Sequence, residues 1–212
     1  MSTNLRALIA QGEGEQLEFK TKTTHPTRIS RTLASLANTR GGQVLVGVDD
    51  DGRVVGVRDA EEEKFVLREA AAHYVDPPLS LRFEEVETDG ERVVLVVRVA
   101  ESQTKPHRAQ VAPGEWLPYV RVRDESVQAS TLTERLLERQ PPPEIRLEKL
   151  PLSKDELRVL DHLRARQPRI TVAEFADLVN ISRRRAYRTL MKLTLHGYLR
   201  YHDREKEPFY TL

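Results

Sequence analysis

Guanidinium groups are the reactive chemistry this sequence concentrates most. Arg183, Arg184, Arg185 and Arg188 fall within six consecutive positions, and each offers a planar fork of donors that matches phosphate oxygens better than a lysine ammonium does. Arg184 and Arg188, four apart, share one side of any helix that carries them. Two readings stay open from the residues alone: a face that docks on a polyanion, or solvated arginines on a helix that serves packing or dimerisation. Farther up the chain, Gln16-Leu17-Glu18-Phe19-Lys20 alternates polar with apolar side chains, and Asp49-Asp50-Asp51 precede Gly52. The first pattern suits a half-buried strand with Leu17 and Phe19 inward and Glu18 outward beside Lys20. The second is turn chemistry.

Other chemistries are excluded or unsupported. With Cys 0 among 212 residues there is no disulfide, thiolate metal site or cysteine nucleophile, which fits a reducing compartment. The histidines show no H-x-x-x-H or H-E-x-x-H spacing and no G-x-S-x-G elbow occurs. Gly41-Gly42 is followed by Gln43-Val44 rather than a lysine and hydroxyl, so it reads as a tight helix-to-strand turn and not a phosphate loop. His107, between Pro106 and Arg108, is placed in a loop where it and Arg108 could touch phosphate or simply face solvent. Trp116 reads as a partly buried loop anchor. The longest apolar run, Val93 to Val97, is far too short to cross a bilayer. The N-terminal residues lack a secretory pattern. These features predict a cytoplasmic protein with no membrane partner.

Charge is distributed unevenly. Residues 141–212 hold 15 Lys+Arg against 10 Asp+Glu, whereas residues 1–140 hold 19 against 23. An acidic body with a basic tail domain suits a polyanion partner for the tail.

The elements that must carry these residues follow from periodicity. Pro141-Pro142-Pro143 cannot continue a helix or enter a central strand, which predicts a domain over 1–140, a linker over 141–151 and a second domain over 152–212. In the first, a short helix carries Leu5, Leu8 and Ile9, and a strand covers Gln16–Lys20. A helix with Ile29, Leu33, Leu36 and Ala37 closes at Asn38. Two hairpins are expected, Val44–Val48 with Arg53–Val57 about Asp49–Gly52, and Leu79–Glu87 with Glu91–Val99 about Asp89-Gly90. A helix capped by Asp59 runs through Phe65, Leu67, Ala71 and Tyr74. A strand at Tyr119–Arg123 and a helix from Ser130 or Thr131 complete an α+β domain. The second domain reads as helices over Ser153–Arg166, Thr171–Val179 and Ser182–His196, the first lined by Leu157, Leu160 and Leu163, then a hairpin of Tyr198–Tyr201 with Phe209–Leu212. Only Asn180-Ile181 separate the second and third helices, the tight link that a helix-turn-helix needs.

This three-helix and hairpin pattern resembles the winged helix-turn-helix family over nearly all of residues 152–212. The resemblance implies double-stranded DNA as partner, with Arg183, Arg184, Arg185 and Arg188 at the start of a recognition helix and Arg204 and Lys206 on the wing. The N-terminal blocks Glu13-x-x-x-x-Glu18-Phe19-Lys20, Asn38-x-x-Gly41-Gly42 and Gly47-Val-Asp49-Asp50-Asp51-Gly52 with Val55-Gly56-Val57 resemble the Schlafen AlbA-like domain. The likeness extends to Lys105-Pro-His107-Arg108, where relatives carry a basic loop, and to Tyr119-Val-Arg121. It implies a mixed sheet with helices. Bacterial members resemble transcriptional regulators, and nuclease relatives act on structured RNA. Mapped onto this chain, those nucleases imply a magnesium or manganese site of Glu13, Glu18 and Asp49, with Asp50 and Asp51 adjoining and Lys20 steadying phosphorane charge. The expectation is a homodimeric, DNA-binding transcriptional regulator without a cofactor, with a metal-dependent endoribonuclease as the alternative.

Overall fold

The structure is a computed structural model that describes residues 4–88, 92–139, 151–165, 168–203 and 207–212. It divides into two compact units, Met1–Ala129 and Ser130–Leu212. The first is α+β. Its larger sheet has the order β1 (Leu17–Lys20), β2 (Gly42–Val46), β5 (Val93–Val99), β4 (Leu81–Glu87). β1 and β2 run parallel and therefore need a crossover, which α2 (Pro26–Asn38) provides; the other pairs are antiparallel.

Alternation along the central strands sends side chains to two cores. Val44, Val46, Leu95 and Val97 meet Ile29, Leu33 and Leu36 of α2 and Leu67 and Ala70 of α3 (Ala60–His73). Leu45, Val94 and Val96 face the other way, joining Leu17 and Phe19 beneath α1 (Leu5–Ile9). Because helices cover both faces, β2 has no outward side: Val44, Leu45 and Val46 are all buried.

A second sheet, β3 (Val75–Asp76), β6 (Arg108–Ala112), β7 (Glu115–Val122), β8 (Glu125–Gln128), packs on the remaining side of α2 through Ala34, Ala109 and Tyr119. Helix α2 is thus enclosed almost all round, and its buried Ser30 and Ser35 hydroxyls donate to carbonyls three residues back. The turn after it requires glycine twice. Gly41 has φ +67°, and a Cβ there would sit 2.6 Å from the Glu101 amide nitrogen; one on Gly42 would lie 2.6 Å from the Gln16 carbonyl oxygen.

Several expectations shift. The arm Arg53–Val57 is not a ladder strand: Val48 and Val54 form a single bridge and Val57 bridges to Val93. Asp49 instead closes its own turn, its carboxylate accepting from the Asp51 and Arg53 amides. Phe65, expected in the core stripe of α3, is 63% exposed. The register of β4 and β5 agrees with a hairpin, although its Asp89-Gly90 turn lies outside the described residues.

The second unit holds α4 (Thr131–Arg139), α5 (Lys154–Ala165), α6 (Val172–Val179), α7 (Arg183–Leu195) and the antiparallel pair β9 (Arg200–His202) and β10 (Phe209–Thr211). Its core gathers Val159, Leu160, Leu163, Ile170, Phe175, Leu190, Leu193 and Tyr210. Ile170 exchanges both backbone hydrogen bonds with Tyr210, adding a one-residue third edge to the β9–β10 pair. Leu157, expected inward, is largely exposed, and Val159 takes the buried place. The Pro141–Pro143 cluster lies outside the described residues. Among the described residues, no helix is long and apolar enough to cross a membrane.

Candidate nucleic-acid interface

The arginine cluster is positioned by two helix caps. Thr171 and Glu174 form a reciprocal capping box that starts α6, satisfying two otherwise orphaned amides. The helix ends at Asn180, which adopts the left-handed conformation at φ 53°, ψ 57°. That residue reverses the chain at once, because asparagine tolerates this region better than most residues. Ser182 then caps α7, its hydroxyl oxygen accepting from the Arg185 amide at 3.3 Å. Ala186, Leu190 and Leu193 anchor the inner face of α7 in the core, which leaves Arg183, Arg184, Arg185 and Arg188 exposed.

The four arginines are not equivalent. Arg185 reaches Asp155 of α5 at 3.2 Å. Arg183, Arg184 and Arg188 have no acidic partner among the described residues, and the first turn of α7 contains no acid. The helix amino terminus carries the positive end of the backbone dipole, so the arginine charge and the dipole add. Tyr187, 40% exposed, lies between them. Arg204 and Lys206 lie outside the described residues.

The carboxylates of the first unit are engaged differently from the expectation. Glu18 does not face solvent: it is 7% exposed, with one oxygen 2.6 Å from the Lys20 ammonium and the other 2.7 Å from the Arg121 guanidinium. The Arg121 side chain is fully buried and also donates to the Gly14 carbonyl at 2.7 Å. The face of β1 that alternation assigns to solvent is therefore closed by β7. Glu13 accepts the Phe19 amide at 2.7 Å, and Asp49 belongs to its turn. Among the described residues, no group of three or more His, Asp or Glu side chains could hold a metal ion. Glu13, Glu18 and Asp49 are not gathered into one such group, and Lys20 is paired with Glu18.

The Lys105–Arg108 segment also departs from the basic-loop expectation. Lys105 is 4% exposed at its side chain and pairs with Glu101 at 2.6 Å. His107 is 1% exposed, with Nδ1 2.6 Å from the Pro77 carbonyl oxygen and Nε2 2.6 Å from the Ser102 hydroxyl. Burial holds its pKa below the usual histidine value, against the opposing pull of the Pro77 carbonyl. Such a ring cannot touch phosphate. Asn38, which read as a turn former, is the clamp: its amide nitrogen donates to the His107 and Tyr119 carbonyls and its oxygen accepts the His107 amide. Arg108 starts β6 and is half-buried. Trp116 is a half-buried strand residue of β7 opposite Gln110.

Comparison with known proteins agrees with the first unit. Among solved structures, the chain is similar to the N-terminal domain of a RecG-related ATP-dependent DNA helicase protein from Nitrosomonas europaea, at 24% identity and TM-score 0.39, covering 48% of this chain and 75% of that one. It is also similar to the DIP2311 protein from Corynebacterium diphtheriae, at 19% identity and TM-score 0.42, covering 59% of this chain and 29% of that one. No curated protein matches it. The family described as Schlafen, AlbA_2 matches residues 13–130, from the Glu13 carboxylate through β1, the Gly41-Gly42 turn and Arg121. That match takes in more than half of the 212 residues, and the chain belongs to the Schlafen AlbA_2 family.

Proposed function

We propose that the protein binds nucleic acid, specifically duplex DNA, through the start of α7, and that it acts as a transcriptional regulator whose second unit works as a winged helix. The observation that carries this reading is that Arg183, Arg184 and Arg188 are exposed, with no acidic partner among the described residues, at the positive end of a helix delivered by a tight turn. In a recognition helix the amino-terminal residues reach base edges and flanking phosphates. Membership of the AlbA_2 family and the basic balance of residues 141–212 support the same partner. The antiparallel β9–β10 pair that follows α7 in the chain supports the reading of a wing.

The test is an anisotropy titration of the full chain against duplex DNA, with structured RNA as competitor. Arg184→Ala/Arg188→Ala should weaken duplex binding about tenfold or more. It should also lower the slope of log affinity against log salt by about 2, since each lost phosphate contact removes about 0.9. An unchanged affinity at moderate salt overturns the reading.

A further inference from the structure

Within the second unit, α4 and α7 border a cleft of about 440 Å³. Its floor is apolar, built from Leu132, Met191 and Leu195, and its rim is basic, with Arg135 and Arg139 on α4 and Lys192 on α7. Among the described residues, no carboxylate lines it. Lys192 is held by Glu156 at 2.9 Å, but Arg135 and Arg139 are exposed and have no acidic partner among the described residues. Duplex DNA offers a rim of phosphates but no apolar ridge for such a floor. The chemistry that fits is an amphipathic helix with an apolar anchor between acids.

The first unit presents that helix. Phe65 on α3 is 63% exposed, more than any other large apolar side chain among the described residues. Glu62 lies three positions before it and Glu69 four after it, so both share its side of the helix. Leu67, Ala70 and Ala71 already supply the buried side of α3, which leaves the Phe65 side unused by the unit's own core.

We propose that the α4–α7 cleft receives α3 of a second copy of this chain, with Phe65 on the apolar floor and Glu62 and Glu69 against Arg135 and Arg139. The cleft also touches Arg188, so a seated helix shares a border with the proposed DNA face. The contact itself does not depend on DNA binding and is read without nucleic acid.

Sedimentation of the full chain over rising concentration tests it. The expected result is reversible self-association that weakens at high salt. Phe65→Glu alone, which sets a charge on the apolar floor, and Glu62→Lys/Glu69→Lys alone or Arg135→Glu/Arg139→Glu alone, which bring like charges together across the contact, should each reduce it at least about tenfold. Mixing the two charge-reversed chains should restore a heteromer, which a misfolded variant cannot do. A chain that stays monomeric at about 200 µM, well above the micromolar end of the range that protein interfaces span, overturns the proposal. So does self-association that survives all three variants, or charge-reversed chains that fail to recombine. Loss of duplex affinity in Arg135→Glu/Arg139→Glu without any self-association of the parent chain also overturns it, and reassigns the rim to phosphate contact.

Discussion

At the residue scale, the Glu18–Arg121 pair and His107 contribute to stability. Both partners of the ion pair are out of water, so removing one leaves the other charge buried and uncompensated. Glu18→Gln should cost about 3–5 kcal/mol in urea denaturation followed by the fluorescence of the single tryptophan, Trp116. Glu18→Leu/Arg121→Met should recover most of that loss, because an apolar pair avoids the desolvation cost. Lys20→Ala should cost under about 1 kcal/mol, its side chain being 36% exposed. A large Lys20 effect with a small Glu18 effect would remove the structural role given to Glu18. His107 predicts the pH dependence. Its folded pKa lies below the 6.5 of the free side chain, so the unfolded chain binds the extra proton first and stability rises with pH across that interval. The contribution of neutral His107 is complete above about pH 6.5 and is lost as pH falls below it. The melting temperature should drop from pH 7 to 5, and His107→Gln should flatten that slope; an equal slope in the variant argues against it.

At the element scale, the α6–α7 turn aims the arginines. Asn180 sits at φ 53°, where a Cβ-bearing residue without a local polar side chain is strained by about 1–2 kcal/mol. Asn180→Gly should keep thermal stability and DNA affinity close to those of the parent. Asn180→Val should lower both, since α7 would start with a different orientation. Ser182→Ala removes the α7 cap and should cost about 1 kcal/mol in a thermal melt. The tight Asn180-Ile181 link was readable in the sequence because so short a connection between two helical patterns is local, whereas the left-handed conformation of Asn180 came from the structure. Among the elements that escaped notice, β6 and β8 carry no such local mark: Arg108–Ala112 and Glu125–Gln128 are short and mixed, and they are strands because β7 lies between them. The stripe of α3 was misassigned at Phe65 for a related reason. A periodic pattern tells which residues share a side, but not how far round the helix its neighbours reach.

At the scale of the whole molecule, the apolar clusters among the described residues fall within one unit or the other. Leu190 is fully buried in the core of the second unit, and Leu190→Ala should destabilise that unit by about 2–5 kcal/mol. Hydrogen exchange should quicken in peptides from residues 151–212, while the urea midpoint reported by Trp116, on β7 of the first unit, stays in place. A joint shift of both signals would mean that the units unfold as one.

The sequence by itself determined the parts whose causes are local or compositional. Three helices and a hairpin after residue 151, the glycine turn before β2, the capped α7 with its arginines and the opposite charge of the two halves were all readable, since caps, glycines, periodicity and charge counts act within a few residues. Only the tertiary structure decided where alternation stops meaning exposure. Glu18 and His107 carry the side chains of an exposed reactive site, yet Arg121 of β7 closes over one and the Asn38 clamp draws in the other. Those partners lie 103 and 69 positions away in the chain, and burial against so distant a segment leaves no periodicity to read.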